Sequence, residues 1–419
     1  MSNVGTGNLT QCTIAGQDVR SLVNMLDYFE SIYSPAASCN ITLNDASGFH
    51  NKAQLKGGTE EVSIAFGGRE GGSIRMNFKV GKIGDRMRAK ENQDMYIITC
   101  VPQEFIENNQ KEIVKAYKDK KLSDMTKDWH EEYTKESNTL KKDLVTNEES
   151  EDKQNYFGTG RSPTTAIRWA AKEAKSKDAK ASNYVYYQDR DGYHFRTIDK
   201  MLSEGVKYTL SYSHQNIGAQ GGEAARKIIA YDQKSDFDSM DSSYNGADSD
   251  HWYYFDPSVG KVDAVKEGKR DGAGDTTHTG SAQLTSKQKS ARGERFNFIV
   301  APGQGQSKFR DSRDKKISEN KRSLPEHGAK SSAAIQLDNL IINVRVPGDT
   351  NYKPGIKVRL DIPANQESSE LDPRSGTFLV TSVRHITYRD ENDLKYECLL
   401  ECKSDSQNKS SSGNSGVTK

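Results

Sequence analysis

The sequence predicts a mainly β chain with α/β insertions, and three observations carry that reading. Residues 73–80 alternate strictly: Ile74, Met76, Phe78 and Val80 face one way and Arg75, Asn77 and Lys79 the other, the period-2 mark of a half-buried strand. Short apolar runs punctuated by glycine, proline and asparagine fill both the first and the last hundred residues. Between them, close to half of residues 104–153 are charged and a clean helix start stands at Ser162-Pro163, so the middle is mixed.

Taken in order, Asn40-Ile-Thr-Leu-Asn44, Val62-Ser-Ile-Ala-Phe66 and Met95-Tyr-Ile-Ile-Thr-Cys-Val101 read as strands, with Gly67-Gly68 and Gly71-Gly72 marking a turn before Ser73. One helix is expected over Asp18 to Ser31, where Val19, Leu22, Val23, Leu26 and Phe29 fall at helical spacing. In 104–153, Met125, Trp129, Tyr133, Leu140 and Leu144 are spaced mostly by four, which predicts a solvated amphipathic helix pair. Asn147 to Gly160 reads as a loop. Serine suits the N-cap and proline the first helical position, so a helix runs from Pro163 with Ala166, Ile167, Ala170, Ala171 and Ala174 as its buried stripe. Tyr184-Val-Tyr-Tyr187 and Tyr193-His-Phe-Arg-Thr-Ile198 flank the polar turn Asp189-Arg-Asp-Gly192 as a hairpin. His194 is expected to face solvent there.

Tyr208-Thr-Leu-Ser-Tyr212 and Lys227-Ile-Ile-Ala-Tyr231 are further strands. From Asp232 to about Lys330 the chain is rich in Ser, Asp, Gly and Lys, and only His251-Trp-Tyr-Tyr-Phe255 and Phe296-Asn-Phe-Ile-Val300 look structured. Strands return at Leu340–Val346, Val358–Ile362, Thr377–Val383 and Lys395–Cys402, and the Ser- and Gly-rich residues after Ser404 read as a frayed tail.

Composition excludes several classes. At roughly 100–200 residues per domain, 419 residues make about two to four domains. An apolar fraction of 33% and a mean hydropathy of −0.86 are polar for a globular chain. Sixty basic residues against 59 acidic ones give a net charge of +1, unlike a dedicated nucleic-acid binder. No apolar run approaches the ~20 residues of a membrane span, and the first residues lack the basic and apolar regions of a signal peptide.

Chemistry-bearing motifs are scarce. There is no phosphate loop, no Gly-x-Ser-x-Gly elbow, and Gly303-Gln-Gly305 lacks both a third glycine and a following helix. The eight histidines show no metal spacing, and His385 reads as a polar edge residue. Cys398 and Cys402 share a strand face, but no second Cys/His pair accompanies them, so buried small residues are the better reading; with Cys12, Cys39 and Cys100 they make an odd, sparse set that fits a reducing interior. Glu107, Asp124 and Asp128 fall on solvated faces rather than in a hydrolase dyad. The aromatic cluster Trp252 to Phe255 reads as a loop anchor or interface patch. The expectation is a non-enzymatic assembly component with no catalytic, cofactor-binding or metal-ligating residue and no cofactor.

The order of certain blocks carries a resemblance. Leu337-Asp-Asn-Leu-Ile-Ile-Asn-Val-Arg-Val-Pro-Gly-Asp349, Lys353-Pro-Gly-Ile-Lys-Val-Arg-Leu-Asp-Ile-Pro363, Asp372 through His385, and Tyr396-Glu-Cys-Leu-Leu-Glu401 follow one another at the C-terminus. Ser162 to Trp169 and Tyr187 to Asp199 precede them, and Glu30-Ser-Ile-Tyr-Ser-Pro35, Asp45 to Phe49 and Gly58-Thr-Glu-Glu-Val62 lie near the N-terminus. Together these blocks resemble the baseplate central hub subunits of contractile-tailed, T-even-like bacteriophages. They cover most of the chain; residues 232–330 and the charged stretch after Gln110 match only loosely.

The resemblance implies two tail-tube-like β-barrels per chain plus a mixed outer domain. Residues 1–103 would form the first barrel, 206–240 with 333–404 the second, 104–205 a helix and hairpin domain with charged helices, 241–332 a loop-rich insertion of the outer domain, and 405–419 a disordered tail. It implies a homotrimer that joins a sixfold tail tube, or its initiator proteins, to a threefold central spike protein, with wedge proteins as further neighbours and a channel for transient, non-specific DNA passage at genome ejection. The site would be the tail baseplate of the virion, after synthesis in the host cytoplasm. The hub of a contractile secretion machine and a peptidoglycan hydrolase of the tail tip are the alternatives.

Overall fold

The computed structural model describes residues 5–68, 72–90, 93–135, 142–151, 153–158, 160–178, 183–212, 226–236, 251–256, 261–266, 279, 296–300, 337–338, 340–364, 371–372, 374–390 and 393–406. The N-terminal part holds β1 (Gly7–Ile14), β2 (Gln17–Asp18), β3 (Val23–Ser31), β4 (Ser38–Asp45), α1 (Phe49–Ala53), β5 (Glu61–Gly68), β6 (Ser73–Lys90) and β7 (Gln93–Val101). Ile74, Met76, Phe78 and Val80 are buried as the alternation requires. Gly71, in the expected turn, lies outside the described residues.

The helix expected over Asp18 to Ser31 is instead the strand β3. Leu26, Tyr28 and Glu30 are 0%, 0% and 1% exposed and face the core together. A carboxylate on the inward face hides the period-2 pattern, and the remaining apolar residues imitate helical spacing.

The middle comprises α2 (Gln103–Gln110), β8 (Ala116–Lys121), α3 (Leu122–Trp129) continuing into one π-helical turn (His130–Lys135), β9 (Leu144–Asn147), β10 (Lys153–Phe157), α4 (Pro163–Glu173), β11 (Tyr184–Gln188), β12 (Tyr193–Thr197) and α5 (Ile198–Ser203). The expected helix pair is therefore interrupted by β8, Leu144 opens a strand, and Leu140 lies outside the described residues. The expected loop over Asn147 to Gly160 contains β10, antiparallel to β8 with Phe157 opposite Ala116. Only Tyr117 and Tyr156 of this charged ribbon turn inward, where Tyr156 meets Trp129 at 4.9 Å between ring centroids. Two aromatics among lysines are too faint a period to read from the sequence. Helix α4 starts as expected after Ser162, whose hydroxyl bonds Thr165 Oγ1 at 2.8 Å.

The C-terminal part holds β13 (Val206–Tyr212), β14 (Lys227–Ile228), β15 (Ala230–Asp236), β16 (His251–Asp256), β17 (Lys261–Lys266), β18 (Phe296–Val300), β19 (Leu340–Pro347), β20 (Lys357–Asp361), β21 (Gly376–Asp390) and β22 (Asp393–Ser404). Beyond the two structured runs expected in the insertion, β17 is a third; it pairs antiparallel with β16, which pairs parallel with β18. Gly303 and Gly305 lie outside the described residues. Asp405 and Ser406, at the head of the expected tail, pack beside Thr279, whose backbone N–H donates to Asp405 Oδ1 at 2.9 Å; residues 407–419 lie outside the described residues.

Fourteen of the strands form one large sheet. Through its middle runs the series β6, β7, β4, β3, β21, β22, β19, β15, every neighbour antiparallel. The join between the N- and C-terminal parts is β3 against β21, with Ser31 opposite Ser382 and Met25 opposite Tyr388. A second link is a bridge between Thr6 and Lys395, where Tyr396 N–H donates to Gly5 O at 2.7 Å. β13 runs parallel to β20, and β15 antiparallel to β19, so segments far apart in sequence share the C-terminal part of the sheet. One buried apolar cluster spans both parts, including Tyr28, Phe66, Phe78, Tyr96, Phe378 and Tyr396. The middle has its own core around Trp129, Ile167 and Phe195.

Gly348 shows how tightly the seam is packed: a Cβ there would stand 2.1 Å from Tyr396 Cδ1, and Tyr396 is fully buried. Gly348→Ala is expected to destabilise the chain by about 1–3 kcal/mol. Gly205→Ala, which meets nothing within 4 Å, is the control. Equal denaturant midpoints for the two variants would contradict this packing.

Candidate functional site

The strongest constellation of polar side chains is structural, and it sits where the three parts of the chain meet. The β11–β12 hairpin turns at Asp189-Arg-Asp-Gly192. Asp189 Oδ1 accepts from the backbone N–H of Asp191 at 2.8 Å and of Gly192 at 3.1 Å, an Asx turn that sets the loop. His194 Nε2 lies 3.0 Å from the same oxygen, His194 Nδ1 3.1 Å from Thr146 Oγ1, and its ring stacks on Tyr187 at 4.8 Å. Burial alone would raise the Asp189 carboxyl; the His194 contact and the two backbone donors hold it below the ordinary carboxylate value. His194 is thus buried, not solvent-facing as its hairpin position predicts, because Thr146 of the adjoining β9 and Tyr187 of β11 flank its ring on that face and Asp189 meets its edge.

The turn delivers Arg190 into the β3–β21 seam. Its Nη2 donates to Glu30 Oε2 at 2.7 Å, its backbone N–H to Glu30 Oε1 at 2.8 Å, and its guanidinium also reaches the carbonyls of Thr350 and Tyr352. Tyr28 donates its hydroxyl to Glu30 Oε1 at 2.7 Å. The side chains of Arg190 and Glu30 are 9% and 0% exposed. Beyond them, His385 Nε2 lies 2.9 Å from Arg190 Nη2. A guanidinium has only donors, so this nitrogen is the acceptor and the proton sits on Nδ1, 2.8 Å from the Tyr396 hydroxyl. Burial and then the Arg190 charge push the His385 pKa well below its ordinary value, so the imidazole is neutral.

On the opposite face of the same seam, Arg384 of β21 grips Asp27 of β3 through two hydrogen bonds of 3.1 and 2.9 Å and lies over the Phe29 ring at 5.3 Å. The hydroxyls of Ser31 and Ser382 meet at 2.8 Å at the end rung of this ladder, one position beyond Glu30. Gln188 Oε1 accepts from Ala37 N–H at 3.1 Å, a further tie from the hairpin to the N-terminal part. The arrangement holds parts together; it presents no nucleophile beside an open base.

His385 is not an edge residue: it is fully buried on the same inward face as Val383. Cys398 lies 3.2 Å from its Nδ1, and burial pushes the Cys398 thiol up to about 12, so it stays protonated. Cys402 is equally buried four residues along, and Cys12, Cys39 and Cys100 are buried as well. Asp124 is exposed, Asp128 pairs with Lys120, and Glu107 accepts from Gln103 Nε2 at 2.5 Å, so these carboxylates do not converge. Trp252 to Phe255 form β16, a strand of the separate three-stranded sheet. A polar cleft of about 560 Å³ beside α3 and β9 is lined by Asp124, Lys127, His130 and Glu149 among others. Both nitrogens of His130 are engaged there, Nε2 with Lys142 O at 3.0 Å and Nδ1 with the Tyr186 hydroxyl at 3.3 Å. Sequence reasoning missed Arg190, since a charged hairpin turn is commonplace; for His385 the available signal was its strand parity with Val383.

No protein-family model and no curated protein matches the chain. Among solved structures, the 43 kDa tail protein of prophage MuSo2 from Shewanella oneidensis is similar over 95% of this chain and 98% of its own, at 9% identity and a TM-score of 0.54. The tail protein from Neisseria meningitidis MC58 is similar over 96% of this chain and 97% of its own, at 12% identity and a TM-score of 0.51. The chain therefore shares the fold of these two tail proteins.

Removing one partner of the buried pair should be costly: Glu30→Gln is expected to lose about 3–5 kcal/mol in denaturant unfolding. Glu30→Gln combined with Arg190→Met should lose less than the sum of the two single changes, and additivity would show that the pair is not coupled. The neutral His385 adds a pH dependence. Its unfolded form takes up a proton near pH 6.5 while the folded form does not, so stability falls as pH drops below about 6.5, by up to about 1.4 kcal/mol per pH unit. His385→Asn should flatten that slope between pH 6.5 and 5; an unchanged slope would place the proton uptake elsewhere.

Proposed function

We propose that the chain is a structural subunit of a phage tail baseplate, the central hub, acting as a trimer between the sixfold tail tube and the threefold spike. The observation that carries this reading is the match of fold to two tail proteins, one of them from a prophage, over nearly the whole of each chain. The ordered sequence blocks named above support it independently. So does the pairing of strands from residues 206–236 with strands from 340–361, as a barrel interrupted by an insertion requires.

In this reading each chain carries two barrels sharing β21 and β22. The first runs through β1, β5, β6, β7, β4 and β3 and returns to β22 by way of Thr6 and Lys395; the second runs through β13, β20, β21, β22, β19 and β15. Three copies then offer six similar surfaces to a tube and three identical ones to a spike, which resolves the mismatch of symmetries. The ring encloses a channel for DNA. A net charge of +1 suits that role, since a strongly basic lining would release counterions and retain phosphates.

The native mass of the full chain, alone and mixed with a candidate spike protein, tests the proposal. A species near three times 46.7 kDa in either sample, seen end-on as a ring, is the expected result. A monomer in both samples overturns the trimeric hub.

A further inference from the structure

The two most exposed large apolar side chains among the described residues share one face of the β8–β10 ribbon in the middle part: Val114 at 76% and Phe157 at 71%. Phe157 stands directly opposite the exposed Ala116, so these two side chains share a face, and Val114, two positions before Ala116, extends it. The ladder runs on past the strand ends, since Gly158 N–H donates to Lys115 O at 2.9 Å and Gly160 N–H to Ile113 O at 3.3 Å. The other face is committed. Ile113, Tyr117 and Tyr156 are buried, and Trp129 meets the rings of Tyr117 and Tyr156 at 5.8 and 4.9 Å. A single exposed apolar residue is ordinary; adjoining ones held out to water on a fixed base have the form of an interaction surface.

The charges beside the patch select its occupant. Residues 111–121 and 153–161 contain seven basic side chains and two acidic ones, in a chain whose net charge is +1. Three of these lysines are matched from within: Lys115 by Glu132, Lys120 by Asp128 and Lys121 by Glu149. Lys118 and Lys153 are exposed and meet no carboxylate among the described residues. Both belong to the outward face. Alternation from Phe157 carries it through Asn155 to Lys153, and a bulge at Asp119, whose φ is +53°, sets Lys118 and Asp119 together against Asn155. We propose that this face docks an acidic segment of a different protein, an apolar side chain of the partner seated among Val114, Ala116 and Phe157 and its carboxylates meeting Lys118 and Lys153. An apolar centre with a charged rim is the make-up of a protein interface, whereas a phosphate backbone asks for cations at the centre. Two ribbon faces from two copies would set Lys118 and Lys153 against their own like charges.

This contact goes beyond the hub reading and does not depend on trimer formation, which the native mass decides separately. The test uses the full chain and a short fluorescein-labelled peptide in which leucine and glutamate alternate, read by anisotropy. The expected result is saturable binding that weakens with added salt and falls by about tenfold after Phe157→Ser, and again by about tenfold after Lys118→Glu with Lys153→Glu. The doubly substituted chain should in turn prefer the peptide in which lysine replaces glutamate, a preference that a misfolded chain would not show. Val206→Ser, at an exposed apolar residue of β13, should leave binding unchanged. Absence of binding, equal binding of the two peptides by the wild-type chain, or full binding after Phe157→Ser overturns the proposal. So does tighter binding of duplex DNA or of anionic lipid vesicles through Lys118 and Lys153, or self-association that Phe157→Ser abolishes, since each gives the face a different occupant.

Discussion

A buried ion pair at a three-way junction holds the molecule together. Glu30 comes from the N-terminal part, Arg190 from the central hairpin and His385 from the C-terminal part, and no two of them lie close in sequence. Glu30 is sealed from water, so its charge is tolerable only while Arg190 is present. The relation of hairpin to sheet is thereby fixed by electrostatics as well as by packing. Asp27 and Arg384 repeat the device on the other side of the same pair of strands. Burial of one face already fixes strand parity, since a one-residue slip would turn the buried residues outward; the ion pairs add that a two-residue slip would part each carboxylate from its guanidinium.

In the hub role proposed above, rigidity of this kind would matter: a subunit that matches two symmetries could not let its halves drift, since each error would be repeated around the ring. The seam commits its polar groups inward: the imidazole is neutral, the thiol of Cys398 is protonated, and the guanidinium is bonded to the acid, a ring nitrogen and backbone carbonyls. Such a network serves geometry rather than turnover.

The legibility of the chain followed the burial of each strand. β4, β5, β6 and β7 alternate cleanly because one face meets the core and the other meets water, and the alternation is written in the residues. Helix α4 was legible from a serine and a proline at its start, and the β11–β12 hairpin from its aromatics and polar turn. β3 was not, because Glu30 occupies a core position. β10 was not, because only Tyr156 of its five residues is buried. His194 and His385 were misplaced for the same reason as Glu30: a polar residue looks like surface until its partner is known.

The sequence by itself determined the β, mixed, β layout, the strand positions where apolar and polar residues alternate, and the order of blocks that resembles phage hub subunits. Local chemistry suffices for these, since propensity, periodicity and turn residues act within a few positions. Tertiary structure alone decided that β3 is a strand, that β3 and β21 fuse the two ends of the chain into one sheet, and that Arg190 lies between them. Those outcomes depend on pairing between residues more than three hundred positions apart, such as Asp27 with Arg384, and the cost of burying a charge is set by the partner that meets it there.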